Sequence, residues 1–339
     1  MGWLTGPLLR AALLGAGLAS AAQPSSADPS VAGVGPLGVV VAGRVERGSL
    51  RTADGRLRSY RLFVPEGIEQ GVSTPLVLNL HGRMMDGALQ MAVSVMNDAA
   101  QRHGFLVAYP DGIGRKWSDG ARDGLEEGDQ PDDVGFLSAL IDRIARDHEV
   151  DRRRVYAAGF SNGAGMAHAL GCRLSERIAA IGAVSGGNNV AECRPGRPVP
   201  VWEFHGAHDR FYLFLGRRSR LMGLNFKSIP RTVAEWVARN AVPESSRRVS
   251  YAKGIVTCES YGGEAEVTLC VARPQALETA GLAVVDGGGH AWPGGISFPF
   301  FDSATADLDA SEALWEFFAR HALPEAPRGP GFDRNLIPP

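Results

Sequence analysis

Cysteine is scarce, with four in 339 residues, and no C-x-x-C pair or close Cys/His spacing occurs, so a zinc framework is not expected. Charge of one sign is also missing. Thirty-five basic and 37 acidic residues leave a formal net charge of −2, which gives no attraction to nucleic acid or to an anionic membrane surface. No stable membrane partner is expected either, because no apolar run is long enough to span a bilayer. The run Ala11–Leu18 is short, follows the single charge of Arg10, and precedes the small residues Ala19–Ala22. This pattern predicts a signal peptide over residues 1–22 and a secreted protein, with a retained anchor as the alternative because the positively charged start is thin. No cysteine near the cleavage region supports a lipoprotein reading. Residues 23–44, rich in Pro, Ser and Gly, are expected to be a linker. No internal repeat is present, and no stretch reads as an appended carbohydrate- or polyester-binding module, so a small or oligomeric substrate is expected over an insoluble polymer.

Apolar and charged residues make up 45% and 21% of the chain, enough for a large core, and strand-like and helix-like stretches alternate along residues 45–323. Val45–Val64 reads as a β-hairpin turning at Ala53-Asp54-Gly55. PLVLNL (Pro75–Leu80) and FLVAY (Phe105–Tyr109) are continuous apolar strands of the kind buried on both faces. Ala88–His103 is expected to be one helix. Asp132 and Asp133 open an amphipathic helix with acid at its positive end. Further strands are expected at Ile178–Ser185, Val199–Phe204 and Gly281–Val285, a hairpin at Cys258–Cys270, and helices at Pro230–Asn240, with Ser228 as cap, and Ser311–His321. This alternation predicts an α/β fold, a mostly parallel central sheet with helices on both faces. Residues 324–339, Pro/Gly-rich, are expected to be a loose tail.

The organising stretch is VYAAGFSNGAGMAHA (Val155–Ala169). A β-prone run stops at Gly159, Ser161 stands between Gly159 and Gly163, and a helix-like run follows at once. A strand, a sharp turn carrying serine, and a helix hold a hydroxyl up at the carboxyl end of a sheet. A serine hydroxyl needs a base to become a nucleophile. His290, in GGGHAWPGG after the strand LAVVD, is the candidate, whereas His81 and His205 precede glycines at strand ends and read as loop braces. A base of this kind needs a carboxylate to fix its tautomer. Asp209, ending VPVWEFHGAHD, is the first choice, with Asp111, Asp119 and Asp286 next. The backbone N–H groups of Asn162 and of Arg83, in the loop after LVLNL, are the candidate oxyanion donors. No metal or organic cofactor is needed. Four cysteines allow three pairings, which spacing alone leaves open.

The ordered set LVLNLHG, FLVAYPDG, W-S-D-G, D-D-V-G-F-L, G-F-S-N-G-A-G-M, H-G-A-H-D and G-G-G-H-A-W-P-G resembles the polyhydroxybutyrate depolymerase and feruloyl esterase family. These are secreted α/β-hydrolase esterases that include the mycobacterial LpqC-type proteins. The resemblance covers roughly residues 45–323. It implies an α/β-hydrolase fold, Ser161 as nucleophile, Asp209 as acid, His290 as base, and an oxyanion hole at Arg83 and Asn162. It implies disulfides Cys172–Cys193 and Cys258–Cys270, and places Trp117 and Trp292 at aromatic positions bordering a substrate cleft. The expected activity is serine ester hydrolysis of short hydroxyacyl esters or oligomers. Alternatives are a feruloyl or acetyl xylan esterase, a lipase with the apolar stretch Phe211–Phe226 as lid, and a cell-surface binding protein that keeps the fold without catalysis. The departures are RMMDG after His81-Gly82 and the long apolar and basic segment after Asp209. Both bear on the substrate and leave the chemistry intact.

Overall fold

A computed structural model describes residues 33–34, 40–69, 71–121, 130–273, 288–297 and 302–325. The expected signal peptide, the strand Gly281–Val285, the alternative acid Asp286 and nearly all of the expected tail lie outside the described residues. The linker expected to end at residue 44 contains two short paired strands, β1 (Gly33–Val34) and β2 (Val40–Val41). The hairpin strand β3 (Gly43–Arg51) begins just inside the same stretch and turns into β4 (Leu57–Pro65).

Next come β5 (Thr74–Leu80), α1 (Gly87–Ser94), α2 (Met96–His103), β6 (Leu106–Pro110), α3 (Asp133–Asp147), β7 (Val150–Phe160) and α4 (Asn162–Arg173). The chain continues through β8 (Ala180–Val184), β9 (Val201–Gly206), the short β10 (Arg217–Arg218) and β11 (Asn225–Phe226), and α5 (Ile229–Arg239). It closes with β12 (Arg247–Lys253), β13 (Val256–Tyr261), β14 (Val267–Ala272) and α6 (Ala310–Phe318). Among the described residues ten strands form one sheet in the order β12-β13-β14-β9-β8-β7-β5-β6-β4-β3. The run from β14 to β6 is parallel throughout, and both flanks are antiparallel. The Cys258–Cys270 hairpin is therefore part of the main sheet: Cys258 and Cys270 are register partners on β13 and β14, joined by a disulfide, and β14 pairs onward with β9. A second disulfide joins Cys172 at the end of α4 to Cys193.

The parallel strands are mostly apolar where both faces are covered, with Asn79 on β5 and Glu203 and His205 on β9 among the polar residues buried in them. On β5, Leu76, Leu78 and Leu80 point into one core with α3 and α4, while Val77 points into the other with α2 and α6. One charged pair is sealed into this frame. Arg58 on β4 donates to Asp133 at 2.7 Å with both side chains almost fully buried, and the guanidinium lies 3.9 Å above the Phe136 ring. Asp133 also accepts from the Ser118 backbone, so both of its oxygens are used.

The helix expected over Ala88–His103 is broken. Val95 adopts φ 54°, left-handed and unfavourable for a β-branched residue, and ends α1 one residue before α2 starts. The break turns two carbonyls away from the helix ladder: Val93 O accepts from Ile296 N, and Ser94 O accepts from Ser311 Oγ. Ser311 Oγ in turn accepts from the Trp292 indole. Strain at Val95 thus ties the loop of residues 288–297 and the start of α6 to the helix pair.

Candidate active site

Ser161 stands between β7 and α4 with φ 56° and ψ −115°, a strained conformation for a residue with a side chain. The flanking glycines make the turn possible. A Cβ on Gly159 would lie 2.2 Å from the Gly163 carbonyl oxygen, and one on Gly163 would lie 2.1 Å from that of Leu80. Neither position has room for a methyl group, so the close approach of α4 to β5 and β7 depends on both. Ser161 N donates to Val184 O, and Ser161 O accepts from Gly165 N, which pins the turn to β8 below and to the helix above.

Asp209 follows β9 and reaches His290 across the sheet end. His290 Nδ1 lies 2.7 Å from Asp209 Oδ2, and both residues are buried. The other Asp209 oxygen accepts from the backbone N–H groups of Phe211 and Tyr212, each at 2.8 Å. Burial alone would raise this carboxyl; the adjacent His290, with His205 and the Tyr212 N–H, outweighs burial and holds it below the ordinary carboxylate range. The His290 loop is fixed by a residue that the motifs did not single out. Asp302 accepts from His290 N at 2.8 Å and from Arg210 at 2.7 Å, linking the loop to the residue after Asp209. Asp111 is engaged elsewhere, accepting from Ser59 and from Gly87 N. Asp119 is buried against Asn189 and Ala121 N, and burial pushes its carboxyl up.

Ser161, Asn162, Arg83 and His290 line one cavity of about 440 Å³. Its walls are mostly apolar: Met84, Met85 and Leu89 on one side, and Phe211, Tyr212, Met222, Leu224 and Phe226 on the other, with Asp119 and Asn189 as polar points. The second wall is the long segment after Asp209, folded back through β10 and β11 and braced by the Tyr212–Phe226 stack at 4.2 Å. Among the described residues no cluster of His, Cys, Asp and Glu has the arrangement of a metal site.

Trp117 and Trp292 are not brought to this cavity, contrary to the expectation for them. Each is almost fully buried because its indole N–H is spent inside, Trp117 on His81 O at 2.9 Å and Trp292 on Ser311 Oγ at 3.2 Å. Trp117 braces the cavity floor instead. Its backbone N–H and C=O pair with the Asn162 side-chain amide, at 2.7 and 3.1 Å, while its indole holds the end of β5. His81 and His205 brace loops, His81 through Gly112 N and Gly82 O, His205 through Tyr212 O.

Residues 58–193 match the family described as Esterase PHB depolymerase. "Putative esterase NocK" of Nocardia uniformis subsp. tsuyamanensis is 31% identical over 277 residues, covering 75% of this chain and 76% of that protein. Feruloyl esterase B of Piromyces equi is 28% identical over 243 residues, 67% of this chain; the match spans only 41% of that longer protein. A solved acetyl xylan esterase from Aspergillus awamori superposes on 81% of this chain and 99% of its own, with a TM-score of 0.55 at 13% identity. That likeness is one of fold, and the fold is that of the α/β-hydrolases.

Proposed function

Because the chain belongs to the Esterase PHB depolymerase family, we propose that it is a serine carboxylic ester hydrolase working through an acyl-enzyme. The observation that carries this reading is the pairing of a strained serine with a buried Asp–His couple: Ser161, at φ 56°, shares a cavity wall with His290, whose Nδ1 is held by Asp209. With Nδ1 engaged, Nε2 is the ring nitrogen that takes the Ser161 proton as Oγ attacks the ester carbonyl. Asp209 then stabilises the imidazolium. The backbone N–H groups of Asn162, at the start of α4, and of Arg83 receive the oxyanion. His290 returns the proton to the leaving alcohol, and water repeats the sequence on the acyl group. The steps need no metal or organic cofactor.

For the acyl group, the cavity supports a compact apolar or aromatic unit. Its thioether and aromatic walls suit a feruloyl-type acid, and Asp119 with Asn189 offers polar atoms to a hydroxyl on that acid or on a short hydroxyacyl oligomer. Two disulfides fit a protein exported to an oxidising compartment. Hydrolysis of p-nitrophenyl acetate, butyrate and palmitate, methyl ferulate and a 3-hydroxybutyrate oligomer, by wild type and Ser161→Ala, tests the proposal. Turnover that vanishes in the variant supports it, and the preferred member identifies the acyl class. Equal, negligible turnover by both proteins, with no labelling by a serine-directed phosphonate, would overturn it in favour of a binding protein.

A further inference from the structure

Behind Asp209, a chain of buried polar side chains runs into the core and takes no part in the steps above. The Trp236 indole N–H donates to His168 Nδ1 at 3.0 Å, which leaves the His168 proton on Nε2. That nitrogen lies 3.0 Å from Glu203 Oε2. On the far side of Glu203, His205 Nε2 lies 2.7 Å from the Tyr212 carbonyl oxygen, an atom that only accepts, so Nε2 carries the hydrogen. The same Nε2 is 3.3 Å from Asp209 Oδ2. His205 Nδ1 is therefore a bare lone pair in the neutral ring, and it faces Glu203 Oε1 at 3.8 Å. His168, Glu203 and His205 have no solvent exposure, and Glu203 Oε1 and His205 Nδ1 are both buried polar atoms without a hydrogen-bond partner. Two acceptors facing each other in a dry core are costly unless a proton stands between them.

We propose that Glu203 is a positioning residue that carries a proton on Oε1, donates it towards His205 Nδ1, and through His205 keeps the Asp209 carboxylate in register with His290. The donors of Trp236, His168 and Glu203 then follow one another along the line to His205, whose Nε2–H is given to the Tyr212 carbonyl with Asp209 Oδ2 3.3 Å from the same nitrogen. The dipoles add, and the one ionised group at the end of the line receives them. The surroundings favour the neutral acid. The register neighbours of Glu203 on β8 and β14 are Ala183 and Leu269, which offer no charge. The groups that face the pair are His168 from α4, Tyr212 and Asp209 from the segment after β9, and His290 from its loop, with Lys227 before α5 and Arg239 within it acting on His168. Burial raises the Glu203 carboxyl well above its ordinary range and depresses both histidines, His168 to about 3, so the proton stays on the acid.

This proposal rests on the triad reading, and the experiment keeps the two separable. The infrared difference between folded wild type and Glu203→Gln is recorded in H₂O and D₂O, with phosphonate labelling of Ser161 and the pH profile of kcat/KM on the same samples. A carboxylic acid carbonyl band present only in wild type and shifted by D₂O is expected, whatever the enzyme turns over. Glutamine accepts from His168 and can turn an N–H towards His205 Nδ1, so Glu203→Gln is expected to keep kcat and an unmoved acid limb. Glu203→Leu removes the bond from His168 and the proton that faces His205, and is expected to lower kcat about tenfold with KM unchanged. A carboxylate band in place of the acid band, a shifted acid limb in Glu203→Gln, or wild-type kcat in a folded Glu203→Leu would each overturn the proposal. Failure of phosphonate labelling would instead remove the triad reading and leave the infrared result standing.

Discussion

Asp209 Oδ2 and His290 Nδ1 lie 2.7 Å apart across 81 residues of chain, and the second Asp209 oxygen is occupied by two backbone N–H groups. The carboxylate therefore has little freedom to turn, and the imidazole tautomer is set by it. Asp209→Asn keeps this shape but offers His290 an amide in place of a charge. It is expected to lower kcat by about 10⁴-fold with little change in KM, measured on the best ester of the panel. A loss confined to KM would assign Asp209 to substrate binding.

The apolar segment after Asp209 forms one wall of the cavity, and Leu224 stands on that wall. Leu224→Trp is expected to fill space needed by a large acyl group. The ratio of kcat/KM for methyl ferulate to that for p-nitrophenyl acetate should fall by about tenfold or more. An unchanged ratio would mean that the acyl group binds elsewhere.

Arg58 and Asp133 test the frame rather than the site. Asp133→Ala leaves a buried guanidinium without its carboxylate and is expected to cost about 3–5 kcal/mol in denaturant unfolding. Replacing both partners, as Arg58→Met with Asp133→Leu, is expected to restore most of that loss, because the penalty comes from the orphaned charge. A double variant as weak as the single one would show that the backbone bond from Ser118 to Asp133 carries the stability.

The buried acid Glu203 gives a pH dependence of defined sign. Its folded value is raised above the ordinary 4.5 of the unfolded chain, so above that pH the unfolded state releases a proton that the folded state keeps. Its stabilising contribution is complete below pH 4.5 and is lost as pH rises towards the folded value. The stability of wild type relative to Glu203→Gln is thus expected to decline with rising pH above 4.5, with a slope of up to about 1.4 kcal/mol per pH unit. A difference that grows with pH would mean that Glu203 is ionised in the folded protein.

Much of the site was legible because its signals are local. The glycines around Ser161 act over two residues, the apolar run of β5 reports burial on both faces, and Asp209 and His290 each belong to a short loop signature. The errors lie where distant elements decide. Val95 sits in an ordinary helical pattern, and only contacts from Ile296 and Ser311 explain its left-handed turn. The resemblance implies cleft positions for Trp117 and Trp292, but which way an indole faces depends on acceptors supplied by the residue after β5 and by α6. Asp302 carries no motif of its own, and Glu203 looked like one residue of an apolar strand. Its role depends on histidines supplied by α4 and by its own strand two residues on.

The break at Val95 also joins distant parts of the chain at the candidate site. The loop that carries His290 rests on carbonyls released by the end of α1 and on the first turn of α6, elements separated by more than 200 residues. Ser161 and its elbow are held by β7, β8 and α4, which are neighbours in the chain, whereas the loop of His290 is seated where the end of α1 and the start of α6 meet. The two halves of the candidate site thus answer to different parts of the molecule, one to local chain and the other to the closure of the whole domain.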